Sequence, residues 1–311
     1  MLAMPALAQG GAPGWPSGPI RLVVPFAPGG STDLTARLVA EGLSQRLGVS
    51  VIVENRAGAG ATTGSQIVAD APPDGHTLIM SNIASHAISP ALYRTLRYDP
   101  LRSFTHIVMV ITNPSVWVVN LRSEIGTLAD LVRIARTRHG GLDMASSGAG
   151  SSNHLLLARF ATLAGIDHTH VPFRGAGPAM TAVIAAQVPM MSDSLPSAAG
   201  HIRQGSVRAI AMSSAERHPA FPDVPTFREQ GFDLVSTSWF ALSGPANMPA
   251  PIVERLHRET MALISTPESR TRFAEMGGAP GDMSSAQFTA FVGAEIAAWA
   301  PVVRASGASV D

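Results

Sequence analysis

The amino-acid sequence predicts an α/β fold built as two lobes. Short runs rich in β-branched residues alternate with amphipathic helical patterns, which is typical of largely parallel sheets covered by helices. This alternation begins twice, after residue 19 and again after residue 126. A length of 311 residues and an apolar content of 46% fit about two globular domains with sizeable cores.

The first α/β series extends to residue 120. A buried strand is predicted over residues 20–24 and a helix over 31–47, on which apolar side chains recur along one face until Gly48 ends it. The side chains on this face are Leu34, Leu38, Leu43 and Leu47. The other predicted elements are a strand at 49–54, a helix at 62–70, a strand at 77–81 and an extended crossing segment at 107–120.

The second series is followed by a purely helical end of the chain. Helices are predicted at 127–138 and 152–163, and strands at 142–146, 169–173, 188–192, 207–212 and 235–242. The later helices are expected at 251–264, 267–276 and 286–304. Helices without strands cannot form a third sheet, so we expect them to pack back on one of the two lobes.

This order of elements requires two connections that cross between the lobes, near Asn120 and Val235. We expect the first lobe to contain residues 15–119 and 237–311, including the C-terminal helices. The second lobe is expected to contain residues 120–236.

Residues 1–14 are expected to be a signal-peptide remnant followed by a disordered lead-in. Ala6-Leu7-Ala8 matches the A-x-A pattern that precedes signal-peptide cleavage, but no basic start or full-length apolar region comes before it. We therefore expect the beginning of the signal peptide to be missing from this chain. An alanine-rich N-terminus without a targeting role is the alternative. No uninterrupted apolar run approaches the roughly 18 residues typical of a membrane-spanning helix.

The charge composition excludes several kinds of chemistry. All 22 basic residues are Arg, and 22 Asp and Glu residues bring the formal net charge to zero. Without Lys there is no Schiff base and no P-loop lysine. Without Cys there is no thiol nucleophile, disulfide or thiolate metal site. A neutral chain also argues against nucleic-acid binding, because such binding needs a basic surface that releases counterions.

Four loops rich in Gly, Ser and Thr follow predicted strands and lead towards helices. They cover residues 25–33, 55–64, 81–82 and 146–154. Ligands of open α/β sheets bind outside the carboxyl ends of the strands, which is where these loops lie. Glycine lets backbone N–H groups turn towards a ligand, and helix N-termini add partial positive charge. The loops therefore predict a cleft for a small carboxylate or similar anion, although each one alone could be a helix cap or a tight turn.

The motifs of common enzyme classes are incomplete in this sequence. Gly58-Ala59-Gly60 and Gly148-Ala149-Gly150 begin like a dinucleotide fingerprint, but Thr63 and Asn153 stand where the third glycine belongs. No GxSxG nucleophile motif occurs. His168-Thr169-His170 has the spacing of some metal ligands, but no carboxylate is evidently paired with it, and two surface histidines are the simpler interpretation.

Several short motifs follow one another in a fixed order from about Trp15 to the C-terminal helices. They are Trp15-Pro16, Pro19-Ile20-Arg21, Val24-Pro25-Phe26, Gly29-Gly30-Ser31-Thr32-Asp33, Ala36-Arg37, Val53-Glu54-Asn55-Arg56, Gly58-Ala59-Gly60, Pro73-Asp74-Gly75-His76-Thr77-Leu78, Tyr98-Asp99-Pro100, Ser147-Gly148-Ala149-Gly150-Ser151, His154-Leu155 and Val171-Pro172-Phe173-Arg174-Gly175. In this order they resemble the tripartite tricarboxylate transporter substrate-binding proteins of the Bug (TctC-like) family. The sequence departs from that pattern at Ala57, where Pro is usual, and at Ala61-Thr62-Thr63, where Gly-Asn-Ile is common. These departures lie in a ligand loop and leave the ligand open.

The resemblance implies a type II periplasmic-binding-protein fold, with two α/β lobes around a ligand cleft and two crossing hinge strands. Family members hold a carboxylate with backbone amides and hydroxyl groups from both lobes, often through bridging water. Carried over by residue, the first lobe would contribute Phe26, Ala27, Gly29, Ser31, Thr32, Asp33, Ala59, Ala61, Thr62 and Ser81. The second lobe would contribute Ser147, Gly148, Gly150, Ser151, His154, Arg174 and Asp193.

The function implied is capture of a small organic acid, a mono- or dicarboxylate, in the periplasm. The loaded protein would dock on the membrane permease subunits of a tripartite tricarboxylate-type transporter, as a monomer. No catalysis, cofactor, metal or nucleic acid is expected. One alternative is an enzyme that acts on a small carboxylic acid on the same scaffold, with His154 and Asp193 as its acid–base pair. Another is a ligand sensor for a signalling partner.

Overall fold

A computed structural model describes residues 14–306 and contains two groups of strands that share one long strand, β4 (Phe104–Asn120). The strand order on one side is β2 (Val51–Asn55), β1 (Ile20–Val24), β3 (Thr77–Asn82), β9 (Thr237–Pro245) and β4. On the other side it is β4, β7 (Met190–Ser194), β5 (Leu142–Ser146) and β6 (His168–Pro172). The predicted cleavage motif Ala6-Leu7-Ala8 lies outside the described residues.

The first sheet places three parallel strands beside two antiparallel ones. Its other strands are β1 (Ile20–Val24), β2 (Val51–Asn55), β3 (Thr77–Asn82) and β9 (Thr237–Pro245), with the two-residue strand β10 (Ala279–Pro280) pairing with β4. β1 runs parallel to β2 and β3, and β9 runs antiparallel to β3 and β4. The carboxyl ends of β1, β2 and β3 therefore lie at one edge of the sheet.

The second sheet repeats this arrangement. Its strands are the end of β4, β5 (Leu142–Ser146), β6 (His168–Pro172), β7 (Met190–Ser194) and β8 (Val207–Met212). β5 is parallel to β6 and β7, whereas β7 and β8 are both antiparallel to β4. The carboxyl ends of β5, β6 and β7 again share one edge, and this edge faces the one in the first sheet.

Ten α-helices cover the two sheets within residues 14–306. They are α1 (Ser31–Leu47), α2 (Thr62–Ala69), α3 (Ser89–Leu92), α4 (Leu128–Thr137), α5 (Ser152–Ala164), α6 (Ala176–Ile184), α7 (Leu195–Arg203), α8 (Ala250–Ile264), α9 (Pro267–Glu275) and α10 (Ser285–Ala305). Local sequence sets several ends: Thr127 and Asp130 form a capping box that starts α4, and Gly48 ends α1 in the left-handed conformation at φ 72°. A short π-helical turn, Ala84–Ile88, leads into α3.

The structure corrects several predictions about individual elements. Leu43 and Leu47 of the predicted apolar face are buried, but Leu34 is 37% exposed, because α1 turns Ala36, Val39 and Ala40 towards the sheet instead. The helices α3, α6 and α7 were missed, since their alanine-, glycine- and proline-containing sequences have no clear apolar period. The C-terminal region is also not purely helical, because β10 pairs there with β4.

Both crossing connections meet at one buried serine, Ser213. β4 pairs with β9 as far as Pro114 and with β7 from Ser115 onwards. The return connection passes through Ser236 into β9. The Ser213 backbone N–H donates to the Ser115 carbonyl at 2.9 Å, and the Ser213 hydroxyl donates to the Ser236 carbonyl at 2.6 Å. Ser213 therefore joins the two segments that link the sheets. The predicted lobe limits at 119/120 and 236/237 stay predictions.

The C-terminal helices pack on the first sheet. Ile252 and Leu256 of α8 share a core with Ile20 and Leu22 of β1. α10 has the length and apolar composition of a membrane span, unlike the sequence-based expectation for this chain. Its Phe288, Val292, Trp299 and Val303 are buried in a cluster with Ile83 and Trp239 of the first lobe, as in a helix that belongs to a folded domain.

Candidate functional site

A narrow cavity lies where the carboxyl edges of the two sheets face each other. The first-sheet side is lined by Phe26, Gly30, Ser31, Thr32, Asn82, Ile83, Ala84, Ser238 and Phe240. The opposite side is lined by Ser147, Ser151, Ser152, Asn153, Ala176, Asp193 and Ser194. The cavity volume is about 30 Å³, which is room for roughly two water molecules. The two lobes are therefore drawn closely together in this conformation.

Four helices begin at the cavity wall. α1 starts at Ser31 after Gly30, α6 starts at Ala176, and α7 follows Ser194, and in these three helices the N-cap residue provides no side-chain cap. α5 starts at Ser152, with Ser151 as its N-cap. The unsatisfied N–H groups and the dipole of a helix give its N-terminus partial positive charge. Because the described lining contains no Arg or His, this wall can attract an anion only with neutral groups.

Two asparagine side chains are held in place at opposite sides of the cavity. The Asn153 Oδ1 atom accepts hydrogen bonds from the Ser115 hydroxyl at 3.1 Å and the Ser192 hydroxyl at 3.2 Å, so the amide N–H groups remain for a ligand. The Asn82 Oδ1 atom accepts from the Ser85 backbone N–H at 3.1 Å. Fixed amide donors add to the hydroxyl groups of the wall and cost little reorganisation when a ligand binds.

Asp193 is the one ionisable side chain among the lining residues. Its carboxyl group accepts hydrogen bonds from the Ser194 backbone N–H and from the Ser197 hydroxyl, both at 2.7 Å. Burial raises the pKa of Asp193 to about 7, although these two hydrogen bonds act in the opposite direction. Asp193 is only 1% exposed, and both groups that donate hydrogen bonds to its carboxyl group are neutral.

Asp33 lies beneath the first loop instead of facing the cavity. Its carboxylate accepts hydrogen bonds from the Gly29 backbone N–H at 3.0 Å, from Asn55 Nδ2 at 2.9 Å and from Arg37 Nε at 3.0 Å. Asn55 also donates to the Phe26 carbonyl at 3.0 Å. Burial acts to raise the pKa of Asp33, but the hydrogen bonds from Arg37, Gly29 and Asn55 together lower it. Asp33 therefore fixes the loop that carries Phe26 and Ser31.

Direct contacts join the lobes on both sides of the cavity. The Ala27 backbone N–H donates to the Arg174 carbonyl at 3.0 Å. The Ser31 hydroxyl donates to the Ser197 hydroxyl at 2.9 Å, and the Ser197 backbone N–H donates to the Ser31 hydroxyl at 3.0 Å. On the other side Gly60 lies so close to Ala149 that a Cβ atom on Gly60 would be 2.5 Å from the Ala149 carbonyl oxygen.

The predicted site residues fall into three groups. Those that line the cavity are Phe26, Ser31, Thr32, Ser147, Ser151 and Asp193. Those that shape or brace the adjoining loops are Ala27, Gly29, Asp33, Gly148, Gly150 and His154. The remaining ones lie farther from the wall: Ala59 and Thr62 line a separate groove, Ala61 packs beside Phe26, Ser81 bonds to Ala241 and Ser243 between strands, and the Arg174 side chain is exposed.

His154 braces the loop that precedes α5. Its ring stacks on that of His170 with centroids 3.8 Å apart, and its Nδ1 atom accepts from the Gly150 N–H at 3.2 Å. Burial first, and then neighbouring histidines, lower the pKa of His154 to about 4 and that of His170 to about 3. The hydrogen bonds of Asp193 go to Ser194 and Ser197, so His154 and Asp193 do not form the acid–base pair that an enzyme would need.

The spacing of histidines in the sequence did not predict the stacking of His154 on His170, because His154 lies on α5 and His170 lies on β6. Among residues 14–306 no group of three or more His, Asp or Glu side chains is arranged to hold a metal ion. The predicted pair His168 and His170 is part-buried in β6, not on an open surface.

Sequence reasoning missed ten lining residues. They are Gly30, Asn82, Ile83, Ala84, Ser152, Asn153, Ala176, Ser194, Ser238 and Phe240. Gly30, Asn82, Ser152 and Asn153 lie inside the Gly-, Ser- and Thr-rich loops that the sequence analysis identified, so their position in those loops could have indicated them. Ser238 and Phe240 have no such signal, because β9 brings them to the cavity by antiparallel pairing with β3 and β4.

Comparison with known sequences identifies the family. The profile of the tripartite tricarboxylate transporter family receptor matches residues 35–308. The UPF0065 protein in the tcbD–tcbE intergenic region of Pseudomonas sp. (strain P51) is 38% identical over 267 residues, which cover 85% of this chain and 79% of that protein. BugT of Bordetella pertussis (strain Tohama I) is 34% identical over 298 residues, which cover 95% and 91% of the two chains.

Solved structures agree with the sequence relatives. The adipate-bound protein Rpa4515 of R. palustris has a TM-score of 0.91 at 33% identity, with 95% of this chain and 99% of that chain covered. MatC (Rpa3494) of Rhodopseudomonas palustris with bound malate has a TM-score of 0.89 at 32% identity, covering 93% and 100%. These matches confirm the resemblance and the predicted fold: the chain belongs to the tripartite tricarboxylate transporter receptor family, the Bug (TctC-like) substrate-binding proteins, and has their periplasmic-binding-protein fold.

Proposed function

We propose that the protein captures a small organic acid, a mono- or dicarboxylate, between its two lobes. The observation that carries this proposal is a cavity at which four helices begin and whose lining contains no cationic side chain. Helix N-termini and neutral donors bind a carboxylate without an ion pair. Such a site suits a receptor that must later release its ligand.

Two relatives support a carboxylate as the ligand class. Rpa4515 holds adipate and MatC holds malate, and both are dicarboxylates. Each structure covers more than nine-tenths of this chain at about one-third identity. The loop at Ala61-Thr62-Thr63 departs from the common family pattern, so the particular acid is left to experiment.

We expect one carboxylate group to lie between the starts of α1 and α5. The Thr32 hydroxyl on one side and the Asn153 amide and Ser147 hydroxyl on the other line the space between them. Closure of the lobes excludes water, which lowers the local dielectric and strengthens each hydrogen bond to the ligand. Capture and release then need only opening and closing about the β4 and β9 crossings, with no covalent step.

The remaining parts of the proposal concern location and partners. The family consists of periplasmic binding proteins, and we infer an exported protein whose Ala6-Leu7-Ala8 belongs to a signal peptide. We infer that the closed, loaded monomer docks on the membrane permease subunits of a tripartite tricarboxylate-type transporter. Binding needs no cofactor, because the wall itself supplies the donors.

A thermal-unfolding screen tests the ligand class. We expect a cognate mono- or dicarboxylate, with malate and adipate included in the screen, to raise the melting temperature. At a concentration of a hundred times its Kd it should add about 2.7 kcal/mol to the free energy of unfolding. The matched controls are the diamides of the same acids, which lack the charge. A nucleotide that stabilises the protein while every carboxylic acid fails would contradict the proposal.

A further inference from the structure

The cavity wall holds an acidic group where an acid is expected to bind. Asp193 is the one ionisable side chain among the described residues that line the cavity, and the lining contains no cation to balance it. An ionised Asp193 would repel a carboxylate in the same small space, since like charges interact strongly where water is excluded. The proposed function alone therefore does not explain how an anionic ligand can bind beside this carboxyl group.

The surroundings of Asp193 offer no compensating charge. Its two hydrogen-bond donors, the Ser194 N–H and the Ser197 hydroxyl, are neutral. The titratable groups at the cavity end of the packed helices are Asp33 on α1, which is paired with Arg37, and His154 on α5, which bonds to Gly150. The other titratable and charged groups on the packed elements are not among the cavity-lining residues: Glu41 and Arg46 on α1, His106 on β4, Asp143 on β5, Arg159 on α5, His201 and Arg203 in the last turn of α7, Arg208 on β8, and Glu268, Arg270, Arg272 and Glu275 on α9.

The hydrogen bonds around Asp193 also reach across the cavity. The Ser197 hydroxyl donates to Asp193 and accepts from the Ser31 hydroxyl of the first lobe. The same Ser197 hydroxyl lies 3.0 Å from the Ser194 carbonyl, which is an alternative acceptor for its proton. Asp193 therefore ends a hydrogen-bond chain that forms only when the lobes are together, and its charge state is coupled to the closed cavity.

We propose that Asp193 takes up one proton from solvent when the cavity closes on a carboxylate ligand. This inference rests on the proposed function, because it needs an anionic ligand in the cavity. Protonation removes the repulsion and turns Asp193 from an acceptor into a hydrogen-bond donor, which can serve the ligand directly. Asp193 therefore couples anion binding to proton uptake, because the cavity binds an anion together with one proton.

The direction of the pH dependence follows from the free protein. In the closed conformation without ligand, burial raises the pKa of Asp193 to about 7, and a bound anion must raise it further. At pH 8 the free residue is mostly ionised and the complex protonated, so binding should take up nearly one proton. By linkage, affinity should fall about tenfold between pH 6 and pH 8. At pH 6 the free residue already holds the proton, and uptake should be small.

Isothermal titration calorimetry with malate, and with adipate, tests this inference. Titrations at pH 8 in two buffers of different ionisation enthalpy give the number of protons taken up, and Kd is compared at pH 6 and pH 8. The Asp193→Asn variant should bind with the same Kd at both pH values and without proton uptake. It should fold, because its Oδ1 can accept from the Ser194 N–H and its amide can donate to Ser197, whose proton turns to the Ser194 carbonyl.

The control is Asp130→Asn, which changes an exposed carboxylate in the α4 capping box and should keep the wild-type pH dependence. A second readout uses the free protein: Asp193→Asn should melt above the wild type at pH 8, where the buried charge is costly, and the gain should shrink at pH 6. Tight binding with no proton uptake, or an unchanged pH dependence in Asp193→Asn, would overturn this inference alone. Failure of every carboxylate to bind at either pH would overturn the proposed function.

Discussion

Replacing Gly60 by Ala is expected to weaken carboxylate binding about tenfold or more while the protein stays folded. Gly60 adopts φ 57°, and its Cβ atom would lie 2.5 Å from the Ala149 carbonyl oxygen of the second lobe. A backbone oxygen cannot move aside as the end of a flexible side chain can. The lobes must therefore separate to relieve the contact, and separation removes the water-excluded cavity. Calorimetric titration of malate and adipate into the variant measures the loss.

Gly48→Ala provides a matched control for this variant. Gly48 has φ 72°, so an alanine there pays a similar conformational cost of about 1 kcal/mol, but no atom lies within 4 Å of the added Cβ. We expect Gly48→Ala to lower the melting temperature slightly and to leave the Kd unchanged. Equal affinity in Gly60→Ala and Gly48→Ala would show that contact between Gly60 and Ala149 has no part in closure.

Replacing Asp33 by Ala should destabilise the folded protein by about 3 kcal/mol. The variant leaves the Gly29 N–H and the Asn55 amide without their acceptor and removes the ion pair with Arg37. We discount the ion pair because Arg37 is half-exposed, and assign most of the loss to the two part-buried hydrogen bonds that the carboxylate accepts from Gly29 and Asn55. The first loop should loosen, so affinity for the acid should fall as well. Urea unfolding and calorimetric titration measure the two effects separately.

The pH dependence of this effect has a definite sign. The pKa of Asp33 is lowered in the folded protein, so its stabilisation is present above pH of about 4 and is lost as the pH falls through the folded-state pKa. The stability difference between wild type and Asp33→Ala should therefore shrink in acid. Asp223→Ala is the control, since this exposed carboxylate lies outside the hydrogen-bond network of Asp33 and should have a small effect. Wild-type stability and affinity in Asp33→Ala would contradict the role assigned to the network.

Local sequence patterns were enough to predict most elements of the fold. The strand at 142–146 and the start of α5 at Ser152, after the Ser151 cap, lie where the sequence analysis placed them. The helices α6 and α7 were not predicted, because their small residues and prolines give no apolar period. The extended crossing segment predicted at 107–120 is the strand β4, but its pairing with β9 and β7 could not be predicted, because these strands lie far away in sequence.

The site was predictable only as far as its loops. Glycine and serine after a strand mark the loop, but not which side chains turn inwards. Asp33 illustrates the limit: its position in the first turn of α1 fits a ligand contact, yet Asn55 on β2 and Arg37 one turn later draw the carboxylate away from the cavity. Arg174 is similar, because its carbonyl rather than its side chain contacts the first lobe.

A crystal structure of the protein with the acid that stabilises it most is the most direct test of this account. We expect the carboxylate to lie between the first turns of α1 and α5, hydrogen-bonded to backbone N–H groups and to neutral side chains such as Thr32 and Asn153. The lobes should enclose the acid in a cavity wider than the 30 Å³ of this structure. An acid bound outside this cavity, or held by an ion pair with Arg174 or another Arg, would contradict the central claim.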